Sequence, residues 1–468
     1  MLTTPPLASR AYPLIGHIVE MIRDRESLFK RGYQEHGDVF SIKLGPQMAA
    51  VVTGAEYNRT FYQETDKSLN MQEGYAFLKE AIGEILFTAN VEDYYNQRPV
   101  LHTVFKRERM VDYIKAMNIE VQRWLDSLGD SGEVNMADAM LMMAQFVAGR
   151  AFIGPDFREE LGDQFWKEYE AIGASLDVIL PPTLPLPKFK RRDQAKKRIH
   201  EKLQTLIEKR KQNPEKYDDL ISTLLTTPLK DGSYLEEEKI VTMFMGLIFA
   251  GHETTAGQAG WLIALLLQNP DYEKLVRQEI QEQLTYGQPL DAAVLSKLEH
   301  IYWAIDETTR LRPSADTQVR TVTESIEIGG YIIPAGWRLM VSSASSHFLE
   351  DVFSQPQDFN PLRYAPDQAE GKNPFAIVGF GGGIHKCIGM NFAKNEMAII
   401  VGLLFQQYDL ELISEDIKAV TGAGANRPSD VIVRYKRKAL KDLTSEATIK
   451  EALEGGCPHV QQHAQESV

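Results

Sequence analysis

Cys387 stands in FGGGIHKCIG, residues 380 to 389, where four glycines surround one thiol and an apolar helical stretch follows. A thiolate in such a place suits a metal, iron above all, because a metal-binding sulfur must be ionised, shielded from oxidation and tuned by backbone N–H groups. Gly381, Gly382, Gly383 and Gly389 would let the chain coil closely around a flat ligand. The plainer alternative is an inert buried thiol in a glycine-rich turn. A second group, AGHETT at 250 to 255, sets Glu253 beside Thr254 inside an otherwise apolar stretch. An acid next to a hydroxyl can deliver protons while apolar neighbours keep water out. Such hydroxyls can also bond to the preceding turn and bend a helix. In ETTR, 307 to 310, Glu307 and Arg310 share a helix face, ordinarily a solvated pair of little energetic value.

These residues need elements to hold them. A helix is expected over 233 to 268, opened by Ser233 and Glu236 at capping-box spacing and stopped by Asn269-Pro270, so that AGHETT falls in its middle. Further helical period runs over 155 to 176, 191 to 212 and 270 to 284. DVFSIKLGPQMAAVVTG reads as a hairpin around Gly45-Pro46, and ESIEIGGYIIPAGWRLMVSS as another turning at Gly329-Gly330. The proline-rich stretch 180 to 192 reads as a connector. The sheets are therefore small and the bulk is helical.

Composition narrows the function. With 51 basic and 65 acidic side chains the formal charge is -14, which argues against nucleic acid as a partner. Two cysteines give no disulfide framework, and the proline-containing first residues hold no apolar run long enough to span a bilayer, so a soluble, cytoplasmic, monomeric protein without a transmembrane anchor is expected. Cys457-Pro458-His459 lacks a supporting ligand cluster and reads as ordinary surface in a polar tail, 439 to 468, that is partly helical or loose.

Taken together, the motifs resemble the cytochrome P450 family from about residue 10 to 437, with Phe380, Gly383, Cys387 and Gly389 on its haem-loop signature. The resemblance implies a mainly α fold with small β-sheets, one haem domain over 1 to 438, and haem b between the long helix and the Cys387 loop. It implies that Ala250 and Gly251 leave room for O2, that Glu253 relays protons and that Thr254 hydrogen-bonds the oxygen. Glu307, Arg310 and Arg363 would form a buried lock beneath the haem, and Tyr94, Arg98, Arg320 and His385 would serve its propionates. The activity implied is insertion of one oxygen atom from O2. Electrons would come from NAD(P)H through a ferredoxin or flavodoxin-type donor and its reductase, since the chain has no flavin or iron–sulfur motif of its own.

Within the family, GYAFLKEAIGEILF at 74 to 87 and LPLPKFKRRDQAKKR at 184 to 198 look like sterol 14α-demethylases. That likeness would bring Tyr75 to a propionate and Phe77 and Leu78 to the substrate pocket. Sterol demethylases usually carry histidine where this chain has Glu253, so the expected substrate is a bulky apolar molecule such as a steroid or terpenoid, without demethylation being implied. Phe244, Leu247, Ile248, Ser314, Asp316 and Thr317 are further candidate liners, with Asp316 either facing solvent or anchoring a substrate hydroxyl or amine. Basic residues at Lys106, Arg107, Arg109, His385, Lys386 and Lys394 would face an acidic electron donor. Competing readings are a fatty-acid or other lipid hydroxylase, a peroxide-driven enzyme, and a haem-based sensor without turnover.

Overall fold

Asn269 and Pro270 stop the longest helix where the sequence says they should, and that helix organises the molecule. The structure, a computed structural model, describes residues 2 to 439 except 178, 179, 181, 369, 371 and 422 to 424; the tail with Cys457, Pro458 and His459 and the Phe77 side chain lie outside the described residues. The helices that shape the site are α1 (Ala76–Ile82), α2 (Val91–Val104), α3 (Arg107–Leu128), α4 (Met136–Ile153), α5 (Phe157–Gly173), α6 (Pro187–Gln212), α7 (Glu237–Gln268), α8 (Glu299–Leu311) and α9 (Met390–Gln407). Helix α7 is apolar nearly all round because it is a core helix, wrapped by α4, α8 and α9. Helix α4 is apolar and long enough to cross a membrane by composition alone, but it packs between α3 and α7.

Two details depart from the sequence expectation. No capping box forms at the start of α7: Asp231 accepts from both the Ser233 amide (2.9 Å) and its hydroxyl (2.7 Å), and the helix begins at Glu237 without a side-chain cap. The connector ends sooner than 192, because Pro187 takes the first position of α6, where its missing N–H costs no hydrogen bond.

The strands gather at the periphery. β1 (Val39–Leu44) and β2 (Gln47–Val52) form the expected hairpin, closed by Gly45 at φ 63. With β3 (Leu69–Asn70), β5 (Thr317–Val322) and β8 (Arg338–Ser342) they make a sheet in the order β1-β2-β8-β5-β3, in which only β2 and β8 run parallel. β6 (Ile326–Ile328) and β7 (Tyr331–Ile333) pair across Gly329-Gly330 as read from the sequence. β4 (Ser131–Asn135), β9 (Tyr408–Leu412) and β12 (Ile432–Arg437) form an antiparallel sheet with β12 in the middle.

The hairpin β10 (Ala419–Thr421) and β11 (Asn426–Pro428) sits directly on α7. A Cβ at Gly257 would lie 2.7 Å from the Asn426 carbonyl oxygen and 3.1 Å from Arg427 Cβ. Alanine favours a helix over glycine by about 1 kcal/mol, but overpacking against backbone costs about 1 to 3 kcal/mol. Gly257→Ala should therefore lower stability by about 1 kcal/mol in denaturant unfolding, and a more stable variant would show that the hairpin is not seated there.

Candidate active site

The Cys387 loop is held by backbone geometry that glycine supplies. Gly381 and Gly383 take left-handed φ of 71 and 58, and a Cβ at Gly382 would strike the Tyr62 ring at 2.6 Å. The Cys387 amide then closes the loop by donating to the Phe380 carbonyl at 2.8 Å. Gly389 caps α9, so the Cys387 sulfur lies at a helix N-terminus, where the helix dipole favours negative charge. Burial pushes the thiol's pKa up, while the Gly389 and Met390 amides and the Lys386 charge pull it back. Cys387 nonetheless keeps open surface. Both observations hold if that open side faces an interior cleft rather than bulk water.

Helix α7 has an opening of its own. Between Val241 and Leu266 the positions not buried are Thr242, Leu247, Phe249, Ala250, Gly251, Glu253 and Thr254. Leu247, Ala250, Gly251 and Thr254 follow the spacing of one helix face. A Cβ at Gly251 would meet nothing within 4 Å. The Thr254 hydroxyl donates back to the Ala250 carbonyl at 2.6 Å, the turn-bonding pattern that loosens a helix locally. His252 turns the other way, is buried with Nε2 at 3.1 Å from the Leu141 carbonyl, and has its pKa pushed down to about 4 by that burial.

The four residues expected to serve propionates come together, with different partners from those expected. His385 stacks on Tyr94, ring centroids 4.6 Å apart, and its Nε2 lies 2.7 Å from Asp66. The Tyr94 hydroxyl donates to the Ile384 carbonyl at 3.2 Å. Asp66 and the loop backbone thus fix the His385 ring and the Tyr94 hydroxyl beside the Cys387 loop. Arg320 is buried and donates to Thr65 and to the Val319 carbonyl, over the face of Phe61. Arg98 donates Nε to His102 at 3.0 Å and keeps a buried Nη1 without a partner. Asp66 escaped sequence reading because no motif marks it; it takes a left-handed φ of 71, which aspartate tolerates better than most residues.

Glu307, Arg310 and Arg363 make one fully buried cluster. Glu307 accepts from Arg310 at 2.8 and 2.9 Å, from Arg363 at 3.1 Å, from the Asn360 amide at 3.0 Å and from the Tyr364 hydroxyl at 3.1 Å. Arg310 spends its other donors on the carbonyls of His347, Pro356 and Asp358. Removing one partner of such a pair leaves a buried charge uncompensated, at a cost of about 3 to 5 kcal/mol.

The pocket candidates are spread over several packed elements. Phe244 and Ile248 are buried, with Phe244 on the Phe165 ring of α5, and Leu78 is buried in the same cluster. Asp316 is not a bare anchor: Arg25 Nε lies 2.9 Å away and the same guanidinium reaches Thr421 and Asn426. Thr317 opens β5 opposite Ser342, and Ser314 bonds the main chain of Thr254. Leu247 is half-buried on the open face. Tyr75 lies against Phe87, ring centroids 5.8 Å apart. Two clefts, 260 Å³ between α1, α6 and α7 and 800 Å³ beside the end of α7, reach neither Cys387 nor Thr254.

A cytochrome P450 family model matches residues 5–427. The chain belongs to the cytochrome P450 family. It is 30% identical over 406 residues to a sterol 14α-demethylase of Mycolicibacterium vanbaalenii, covering 85% of this chain and 89% of that one. It is 28% identical to the lanosterol 14α-demethylase of Bos taurus, over 93% and 88% of the two chains. A solved structure of retinoic acid bound cyanobacterial CYP120A1 superposes with a TM-score of 0.85 at 26% identity, covering 94% of this chain and all of the other. The P450 fold and monooxygenase class follow, and with them a haem on a cysteine thiolate. The residues fit that group: an accessible sulfur in a desolvated shell, an unobstructed Gly251 and an unpartnered buried Arg98 Nη1 suit iron, a flat ring and an anionic edge in turn.

The loop's approach depends on a histidine. His347 is fully buried, its Nε2 accepts from the Val378 amide at 2.9 Å and its Nδ1 donates to the Arg310 carbonyl at 2.9 Å, so it must be neutral; burial pushes its pKa down to about 4. The unfolded chain takes up this proton first as pH falls below about 6.5, so folding weakens with acid by about 2 kcal/mol between pH 7 and pH 5. His347→Gln should make the pH dependence of unfolding shallower by that amount, and an unchanged slope would contradict the neutral histidine.

Proposed function

We propose that this P450 inserts one oxygen atom from O2 into a bulky apolar substrate, a steroid or terpenoid, using electrons from NAD(P)H delivered by a ferredoxin or flavodoxin-type protein and its reductase. The observation that carries the proposal is the open face of α7: Leu247, Ala250 and Gly251 offer an apolar surface beside the Thr254 hydroxyl, with Glu253 next along the helix. Two of its relatives are named for sterol substrates and a structural neighbour holds retinoic acid, an isoprenoid.

Bound haem supplies the activation of O2. Cys387 Sγ would hold its iron, shielded in the loop, and Arg98 and Arg320 would serve the propionates with Tyr94 and His385, which are ordered by Ile384 and Asp66. The Thr254 hydroxyl can exchange its bond to Ala250 for one across the open face. Glu253, next along the helix, replaces the proton it gives up. Electron delivery uses the exposed Lys106, Arg107 and Lys386. Three expected members are committed within the protein, Arg109 to Asp218 at 2.5 Å, Lys394 to Asp306 and His385 to Asp66, so the docking patch is smaller than the sequence suggested.

Steroids and terpenoids titrated into the haem-loaded enzyme should shift the Soret band as bound water leaves, and fatty acids should do so less. With a ligand that does so, Thr254→Ala should keep its carbonyl spectrum yet divert electrons to peroxide, with product per electron falling about tenfold, the weight of one hydrogen bond to a charged group. Unchanged coupling would mean that protons arrive by another route.

A further inference from the structure

Ser314 and Gln258 belong to no motif, yet they hold the Thr254 peptide from outside its helix. Ser314 Oγ donates to the Thr254 carbonyl at 2.9 Å. A carbonyl has two lone pairs, so this one can accept from a side chain in addition to its helix partner. The Ser314 carbonyl in turn accepts from the Asn426 amide at 2.9 Å, which fixes Ser314 against the β10–β11 hairpin. That hairpin cannot slide, because its backbone already touches Gly257.

Gln258 locks the same corner. Its Nε2 bonds the Arg312 carbonyl, an end carbonyl of α8 that has no partner in its own helix, and lies 3.3 Å from Ser314 Oγ; its Oε1 accepts from Thr309 Oγ1 at 3.1 Å. Gln258, Thr309 and Ser314 are all buried, so no water competes for these bonds. One residue, Thr254, is therefore fixed at two atoms: its hydroxyl on Ala250 and its carbonyl on Ser314.

We infer that Ser314 and Gln258 are positioning residues for the Thr254 hydroxyl, setting how often it faces the open side of α7 and hence how completely electrons are coupled to product. The inference rests on the proposed role of Thr254. It also reassigns Ser314, which sequence reasoning placed in the substrate pocket. A carbonyl held by an external donor pins the Thr254 peptide, and with it the position from which the hydroxyl can leave Ala250 for the open face. Without Ser314 the peptide would be less firmly placed and the hydroxyl would turn to the open face less often, so fewer electrons would end in product and more in peroxide.

The test compares Ser314→Ala, Ser314→Thr, Thr254→Ala and the double variant Ser314→Ala/Thr254→Ala in the haem-loaded enzyme. Coupling is read as product and peroxide per NAD(P)H, and ligand affinity from the Soret shift. Ser314→Ala should lower product per electron about fivefold, the weight of one neutral hydrogen bond, at unchanged ligand affinity. Ser314→Thr should restore it, and the double variant should be no worse than Thr254→Ala alone. Hydrogen exchange should also change in peptides spanning 250 to 258 in Ser314→Ala and return towards wild type in Ser314→Thr. Gln258→Leu, which fills the same space, should reproduce the coupling loss if Ser314→Ala does not load haem. Weaker ligand binding with intact coupling would overturn the inference in favour of a substrate contact. Normal coupling in Ser314→Ala beside a defective Thr254→Ala would overturn it while sparing the role of Thr254. Normal coupling in Thr254→Ala would overturn both.

Discussion

A sulfur anion in a dry interior is unstable unless something compensates it, and the architecture around Cys387 follows from that constraint. Burial raises the thiol's pKa, and two backbone amides, a helix N-terminus and Lys386 offset only part of the effect. A metal cation completes the compensation. The loop must therefore be rigid, since amides help only while they point at the sulfur. Its glycines and the Cys387 to Phe380 hydrogen bond provide that rigidity.

Rigidity at the loop is inherited from the Glu307 cluster. Arg310 on α8 reaches the carbonyls of His347, Pro356 and Asp358, while His347 holds Val378, two residues before Phe380. A buried ion pair adds little net stability compared with apolar packing, but its fixed donors specify one arrangement of otherwise irregular chain. The irregular stretch leading to the thiol is thus built outward from a charged core. Helix α8 also touches α7 and α9, so the same cluster relates the Thr254 turn to the helix that follows Cys387.

The sequence exposed those parts of the design whose partners lie close together or whose chemistry is rare. Gly45-Pro46 and Gly329-Gly330 announced hairpins, Asn269-Pro270 ended α7, and the lone thiol among glycines marked the loop. Contacts between distant segments stayed hidden. Asp66 meets His385 across 319 residues, and Ser314 meets Thr254 through an ordinary serine hydroxyl with no signature spacing. Local competition misled the capping reading, because Asp231 took the Ser233 bonds first. Helical period also could not tell which residues of one apolar face of α7 are buried, so Phe244 and Ile248 were indistinguishable from half-buried Leu247.

The central claim is that Cys387, and no other group, holds the haem iron as a thiolate. Reduced protein under carbon monoxide tests it most directly. The wild type should show the red-shifted Soret band of a thiolate-bound iron, Cys387→Ala should lose it, and Cys457→Ala should keep it. Retention of that band in Cys387→Ala would contradict the account.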